Sequence, residues 1–297
     1  MTTLPHAGAR LRALLDQRTV AAPGCFNALV AMAARDAGFE AAYVSGGAAS
    51  VAAGVPDVGL LTIEHFCRVI REVADGSGLP VLADADTGFG EAEMVRRTVF
   101  EYHRAGAAGF HIEDQVFPKR CGHLDGKSLI PIDDAATKVA WAAEASQDCS
   151  GGAFVVCART DAFGVDGFDA ALERAVAYAE AGADMIFPEG FADEADLARF
   201  AEQLRSRMNK RVYLLANMTE FGKTPMIPLG RWADLGYDLV IYPVTMLRVA
   251  MGAVNRAMRQ LREEGTVEGF LDEMQTRKGL YEQVGYTPGL EWRFPRR

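Results

Sequence analysis
Apolar residues along the chain gather into short runs, separated by longer stretches in which they recur at helical spacing. The same order repeats four times. Ala37-Gly38 precedes Ala41-Ala42-Tyr43-Val44-Ser45, and Ala105-Gly106 precedes Gly109-Phe110-His111-Ile112-Glu113. Ala181-Gly182 precedes Asp184-Met185-Ile186-Phe187-Pro188-Glu189, and Leu235-Gly236 precedes Leu239-Val240-Ile241-Tyr242-Pro243. Each unit reads as a helix, a glycine stop in the left-handed conformation, and a buried strand ending in polar residues. Further strands are expected at Pro80–Asp84, Phe154–Arg159 and Val212–Asn217, with a weaker one at Ala21–Phe26 that contains Pro23 and Gly24. Helical periodicity covers Glu93–Ala105, Asp169–Ala181 and Glu194–Arg207.

About eight βα units in one chain predict a TIM-type (β/α)8 barrel. A doubly wound open sheet is the rival, weakened because no Gly-rich dinucleotide fingerprint follows the first strand. No linker or low-complexity segment divides the chain, so residues 1–297 are expected to form one domain. After Pro243 the pattern predicts helices over Met246–Glu264 and Val267–Val284, more than one closing barrel helix requires. The surplus suggests packing against another subunit or across the barrel.

Composition narrows the partners. At 297 residues, 49% hydrophobic and 24% charged, the chain is within the globular range. Forty acidic against 31 basic residues give a net charge of -9, which disfavours nucleic acid and anionic membranes. No uncharged run reaches the roughly 20 residues of a membrane helix. The first 17 residues have no apolar segment of signal-peptide type. Five scattered cysteines without a CxxC pair argue against a disulfide framework or structural zinc, and fit a reducing, cytoplasmic setting.

Barrel enzymes carry their chemistry at the C-terminal ends of strands. Here those ends read Ser45-Gly46-Gly47, Asp84-Ala85-Asp86, Glu113-Asp114, Arg159-Thr160-Asp161, Pro188-Glu189, Asn217-Met218-Thr219 and Tyr242-Pro243. Asp84 and Asp86, two apart on an extended segment, face the same way and repel unless a cation or a proton lies between them. Oxygen ligands without a Cys–His cluster favour Mg²⁺ or Mn²⁺, with Glu113 as a third carboxylate, directly or through water. Arg159, Arg248 and Arg277 are candidate carboxylate clamps. In Pro118-Lys119-Arg120-Cys121-Gly122-His123, the basic neighbours favour a thiolate at Cys121, and Gly122 and Gly126 suit a segment that closes over a site.

These segments carry a resemblance. Lys119-Arg120-Cys121-Gly122-His123 resembles the signature of the isocitrate lyase and phosphoenolpyruvate mutase superfamily. Ser45-Gly46-Gly47, Asp84-Ala85-Asp86-Thr87-Gly88, Ile112-Glu113-Asp114-Gln115 and Ala158-Arg159-Thr160-Asp161-Ala162 match it in order. The likeness spans about residues 8–286. Asn217-Met218-Thr219-Glu220-Phe221-Gly222, Met274-Gln275-Thr276-Arg277 and Leu280-Tyr281-Glu282 look most like the methylisocitrate lyase branch.

The resemblance implies Mg²⁺-dependent cleavage of 2-methylisocitrate to pyruvate and succinate, in the methylcitrate route of propionate breakdown. It implies a barrel whose C-terminal helices, about residues 244–297, exchange between subunits, usually in a homotetramer. Carried over by residue, Asp84 and Asp86 would hold the metal, with Glu113 in its water shell. Ser45, Gly46 and Gly47 would contact the pyruvate half, and Arg159 would bind carboxylate and oxyanion oxygens. Glu189, Asn217, Thr219, Arg248 and Arg277 would hold the succinate half, with Met218 contributing through its backbone. Cys121 would be the acid–base residue on a gating loop, with Gly122 and His123 beside the substrate. Tyr43 and a metal-bound group are both open as the base for the hydroxyl proton. The segment before Asp57, a residue the family places near the site, is about one residue shorter than in the methylisocitrate lyases, which bears on fine substrate preference. Rival readings are a lyase for 2,3-dimethylmalate or 2-alkylmalates, an isocitrate lyase, phosphonopyruvate-type chemistry, and a non-catalytic dicarboxylate-binding barrel.

Overall fold
Each apolar run forms a strand, and the glycine before each of the four repeated runs has the positive φ that a helix stop requires. The angles at Gly38, Gly106, Gly182 and Gly236 are 88°, 97°, 116° and 86°. The computed structural model describes residues 5–120, 122 and 126–293. The strands are β1 (Val20–Pro23), β2 (Ala42–Val44), β3 (Val81–Asp84), β4 (Gly109–Glu113), β5 (Val155–Thr160), β6 (Met185–Pro188), β7 (Tyr213–Asn217) and β8 (Leu239–Tyr242). They form one 8-stranded sheet in the order β1-β8-β7-β6-β5-β4-β3-β2.

Neighbouring strands are parallel, including β1 with β8, where Val20 is opposite Leu239. The last seam, between β1 and β2, is made just past β1, where Gly24 bridges Tyr43 and the Cys25 amide donates to Tyr43 O at 2.8 Å. The sheet therefore closes on itself as a TIM-type (β/α)8 barrel, and the open-sheet alternative is excluded. The helix Glu194–Arg207 matches its expected limits, capped by the Asp193 carboxylate accepting from the Asp196 amide. Ala92–Ala105 and Phe168–Glu180 differ from expectation by one residue at the ends.

Strand alternation sorts the core into two layers. Leu82, Val155, Cys157, Met185, Phe187, Leu215, Leu239 and Ile241 point inward and pack together. Val81, Ala83, Val156, Ala158, Ile186, Leu214 and Val240 point outward into the larger core beneath the helices. Leu11 and Leu15 of the helix Ala7–Leu15 join the inner layer, so that helix closes the barrel floor. Active-site groups are left to the opposite end.

Beyond β8, the helix Thr245–Glu264 buries Leu247 only. Met251, Val254, Met258 and Leu261 continue a stripe from it at 3–4 residue spacing and are 43%, 41%, 64% and 40% exposed. The expected single helix over Val267–Val284 does not form. A 3-10 segment Glu268–Glu273 breaks at Phe270 (φ -136°), Met274 is extended, and a new helix, Arg277–Gln283, starts where Thr276 caps the Gly279 amide. Gly269 lowers helix propensity in this stretch, and Thr276 favours an N-cap over a helix interior. The final helix lies against Ala28–Asp36 of its own chain, where Gln283 Nε2 donates to Leu29 O at 3.3 Å.

Candidate active site
The inward parity that places Leu82, Cys157, Met185 and Leu215 in the barrel continues toward its C-terminal end. Tyr43, Asp84, His111, Glu113, Arg159, Phe187, Glu189 and Asn217 thus come to the inner face of the mouth. A cavity there is lined by Tyr43, Ser45, Asp84, Arg159, Glu189 and Asn217 among others, with Phe187, Ile241, Pro243 and Val244 as its apolar wall.

One wall is acidic. Asp84 Oδ2 accepts from the Gly46 amide at 3.0 Å, and Oδ1 from the Asp86 amide at 2.9 Å. A Cβ at position 46 would stand 2.7 Å from Asp84 Oδ2, so glycine is what allows this approach. Burial opposes ionisation of Asp84, but His111, Lys119 and Arg159 outweigh it and hold the carboxyl below its ordinary value. Burial, then the Asp84 charge, pushes Asp86 up to about 6. Glu113 is raised well above the usual range, first by burial. Neither of its carboxylate oxygens has a hydrogen-bond partner among the described residues, although Oε2 lies 3.2 Å from Arg159 Nη1.

This donor set fits a hard divalent cation. It consists of oxygens only, it is buried, and each Asp84 oxygen keeps a second lone pair beyond its amide contact. Among the described residues no three carboxylate, imidazole or thiol groups converge tightly enough to chelate an ion by themselves. Lys119 balances part of the acidity. Its side chain is 3% exposed, Nζ lies 2.9 Å from Asp86 Oδ1, and it pairs with Asp57 Oδ1.

Arg159 forms the other wall. Nε donates to Asp161 Oδ2 at 3.0 Å and Nη2 to Asp161 Oδ1 at 3.1 Å, a bidentate clamp that leaves Nη1 toward Glu113 and Glu189. The guanidinium carbon sits 5.1 Å from the centre of the Phe187 ring. Burial works against the Asp161 charge, yet Arg159 and Lys127 hold that carboxyl at about 2. Asn217 Nδ2 donates to Glu189 Oε2 at 2.9 Å. On the floor, the Tyr43 hydroxyl shares a 2.7 Å hydrogen bond with His111 Nε2. Burial, then the Asp84 charge, raises the phenol well above its ordinary value.

The loop after β4 reaches this cavity. Lys119 and Gly122 line it, and Gly122 rests against Arg159 and Glu189. Cys121 and His123 lie outside the described residues. Cys25, Cys67 and Cys157 are packed thiols: burial pushes Cys25 up to about 12 and Cys67 to about 11, and raises Cys157 well above its ordinary value.

The structure brings together Tyr43, Ser45, Gly47, Asp57, Asp84, Gly122, Arg159, Glu189, Asn217, Thr219 and Arg248 at the cavity. Gly46, Asp86 and Glu113 stand directly behind that lining. Arg248 is tied to Glu220, with Nη1 2.7 Å from Oε2. Met218 lies between Asn217 and Thr219 of the lining, and its side chain turns away from the cavity. Met218 is buried, its amide donates to Ile241 O at 2.8 Å in the barrel ladder, and its sulfur accepts from the Ile227 amide. Arg277 begins the exposed last helix, away from the cavity of its own chain. His111 was missed, although its parity with Glu113 on β4 points it inward. Lys119 was read only as a charge near Cys121, and the roles of Gln115, Lys127 and Asp161 as internal partners were not anticipated.

Fold and site define a barrel with two opposed walls, one acidic and cation-seeking, the other built on a clamped arginine. A family model described as phosphoenolpyruvate phosphomutase matches residues 11–262, and the chain belongs to that family. It is 49% identical over 264 residues to Probable 2-methylisocitrate lyase 1 of Corynebacterium glutamicum, covering 89% of this chain and 84% of that protein. It is 44% identical over 284 residues to 2-methylisocitrate lyase of Aeropyrum pernix, covering 95% and 89%. The crystal structure of 2,3-dimethylmalate lyase, described as a member of the PEP mutase/isocitrate lyase superfamily, superposes with a TM-score of 0.88 at 35% identity, covering 95% and 93%.

Proposed function
We propose that this chain is a carbon–carbon lyase that cleaves 2-methylisocitrate to pyruvate and succinate. The observation that carries the reading is the opposition of the Asp84–Asp86–Glu113 wall to the Arg159–Glu189–Asn217 wall across one cavity. It is supported by the two relatives named for that activity, at 49% and 44% identity. Asp84 and Asp86 would hold Mg²⁺, or Mn²⁺ in its place, with Glu113 in the water shell. The bound ion supplies fixed positive charge beside the oxygens of the pyruvate half.

The hydroxyl proton of the carbinol carbon passes to a base at the barrel mouth, the O–H electron pair becomes the ketone of pyruvate, and the bond to the carboxylate-bearing neighbour breaks. The electron pair of that bond stays on the neighbour as an aci-carboxylate, which a proton then converts to succinate. Ser45 and Gly47 orient the pyruvate half. Arg159, held by Asp161, stabilises negative oxygen without reorganising. Asn217, Thr219, Glu189 and Arg248 orient the succinate half. Cys121 delivers the proton to the carbanion, His123 is assigned to substrate binding, and Gly122, set against Arg159 and Glu189, helps exclude water. The base is Tyr43, which is hydrogen-bonded to His111 on the floor, or else a group at the metal position.

The C-terminal helices belong to this reading as an interface. The stripe Met251, Val254, Met258 and Leu261 has no cover within the described residues. A second copy exchanging these helices in a homotetramer would bury it. A cytoplasmic location goes with the same reading. No helix among the described residues is long and apolar enough to cross a membrane.

A lyase for 2,3-dimethylmalate is the second reading, and one observation favours it: the 2,3-dimethylmalate lyase structure superposes on this chain with a TM-score of 0.88 at 35% identity. Pyruvate release from 2-methylisocitrate, isocitrate, 2,3-dimethylmalate and phosphonopyruvate separates the two. The expected result is fastest turnover of 2-methylisocitrate, lost in EDTA and restored by Mg²⁺. Faster turnover of 2,3-dimethylmalate overturns the substrate assignment, and full activity in EDTA overturns the metal.

A further inference from the structure
Lys127 lies just beyond the loop, yet its side chain is only 3% exposed. Nζ donates to Asp161 Oδ1 at 2.8 Å and to the backbone oxygen of Gly122. Asp161 receives a second loop contact from Gln115. Gln115 Nε2 donates to Asp161 Oδ2 at 3.2 Å and to Arg120 O at 2.9 Å, while its Oε1 accepts from the Arg120 amide at 2.9 Å. The same two carboxylate oxygens bind Arg159, Oδ1 through Nη2 and Oδ2 through Nε. Each oxygen of Asp161 therefore carries one bond to the arginine and one to a side chain that grips the loop.

We propose that Lys127 is a positioning residue that latches the loop through Gly122 O and couples the latched position to the aim of Arg159 through Asp161. A buried ammonium needs its partners, and one of these two belongs to the loop and the other to the fixed end of β5. When the loop lifts, Lys127 loses Gly122 O, and the donor set around Asp161 changes with it. When the loop is down, Lys127 and Gln115 help fix the carboxylate that orients Arg159. Closure and arginine alignment are thereby one event.

The inference rests on the reading of Cys121 as the loop's proton donor, and the test separates the two. Iodoacetamide alkylation of Cys121, followed by peptide mass spectrometry, is measured with and without pyruvate, succinate and Mg²⁺. It is paired with steady-state kinetics on 2-methylisocitrate. In the parent enzyme the ligands should slow alkylation at least about tenfold. In Lys127→Met that protection should fall below about threefold, with kcat down roughly 10- to 100-fold and KM changed by less than about threefold. Lys127→Arg, which keeps a donor able to reach both acceptors, should recover much of both. Parent-level protection and kcat in Lys127→Met overturn the latch alone. Absence of protection in the parent overturns it together with the role of Cys121. If Lys127→Met fails to fold, Lys127→Gln, which retains a neutral donor, carries the same comparison.

Discussion

Replacing Gly122 with alanine adds one methyl group where the loop rests on Arg159 and Glu189. A Cβ built there would stand 2.3 Å from Arg159 Nη2 and 2.5 Å from Glu189 Cγ. Ordinary contact is roughly 3.5 Å, so about 1 Å of movement is needed. An arginine tip usually yields, but this one is clamped by both oxygens of Asp161. Glu189 is held as well, accepting from the Gly190 amide and from Asn217 Nδ2, each at 2.9 Å. The loop must rise instead. A misplacement of about 1 Å near the reacting atoms can cost about 100-fold, close to 2.7 kcal/mol of transition-state stabilisation. The fold should not notice, since a loop substitution of this kind falls within about 0.5 kcal/mol. Pyruvate release, coupled to NADH oxidation by lactate dehydrogenase, should show kcat down roughly 100-fold with an unchanged thermal midpoint. A kcat within threefold of the parent would refute the argument that Arg159 and Glu189 cannot give way.

Asp161 makes a pH-dependent contribution to stability. Its folded pKa, about 2, lies below the ordinary 3.8, so the stabilisation is complete above pH 4 and is lost as pH falls toward 2. The difference corresponds to about 2 kcal/mol. In urea unfolding, the stability gap between the parent and Asp161→Asn should narrow by that amount between pH 4 and pH 2, and a constant gap would contradict it. On the C-terminal stripe, Met258→Asp should shift sedimentation velocity toward smaller species without loss of helix content by circular dichroism. Unchanged sedimentation would remove this stripe from the assembly interface.

The barrel was legible because each strand is a continuous apolar run and each repeated unit has a glycine that stops the preceding helix. The mouth residues were legible for a related reason: parallel strands put their polar ends at one level, and alternation decides which face inward. That rule also places His111, which shares its face with Glu113 and was overlooked. The partners of Asp161 were harder to see. Lys127 and Gln115 flank the loop in sequence, and nothing in their spacing shows that the loop folds back over Arg159. The C-terminal reading failed locally because apolar spacing alone did not register Gly269 and Thr276 as interruptions. Arg277 was expected at the site through resemblance, and a single chain does not bring it there.

The helix Ala7–Leu15 has a consequence for traffic. With Leu11 and Leu15 packed into the inner core, the barrel is a cul-de-sac. Ligands must arrive and depart through the same doorway, the one that Lys119 and Gly122 overhang. Two products of one cleavage therefore share a single exit, and either one, lingering there, bars the next substrate. The stopper at one end of the barrel thus leaves all exchange with solvent to the other.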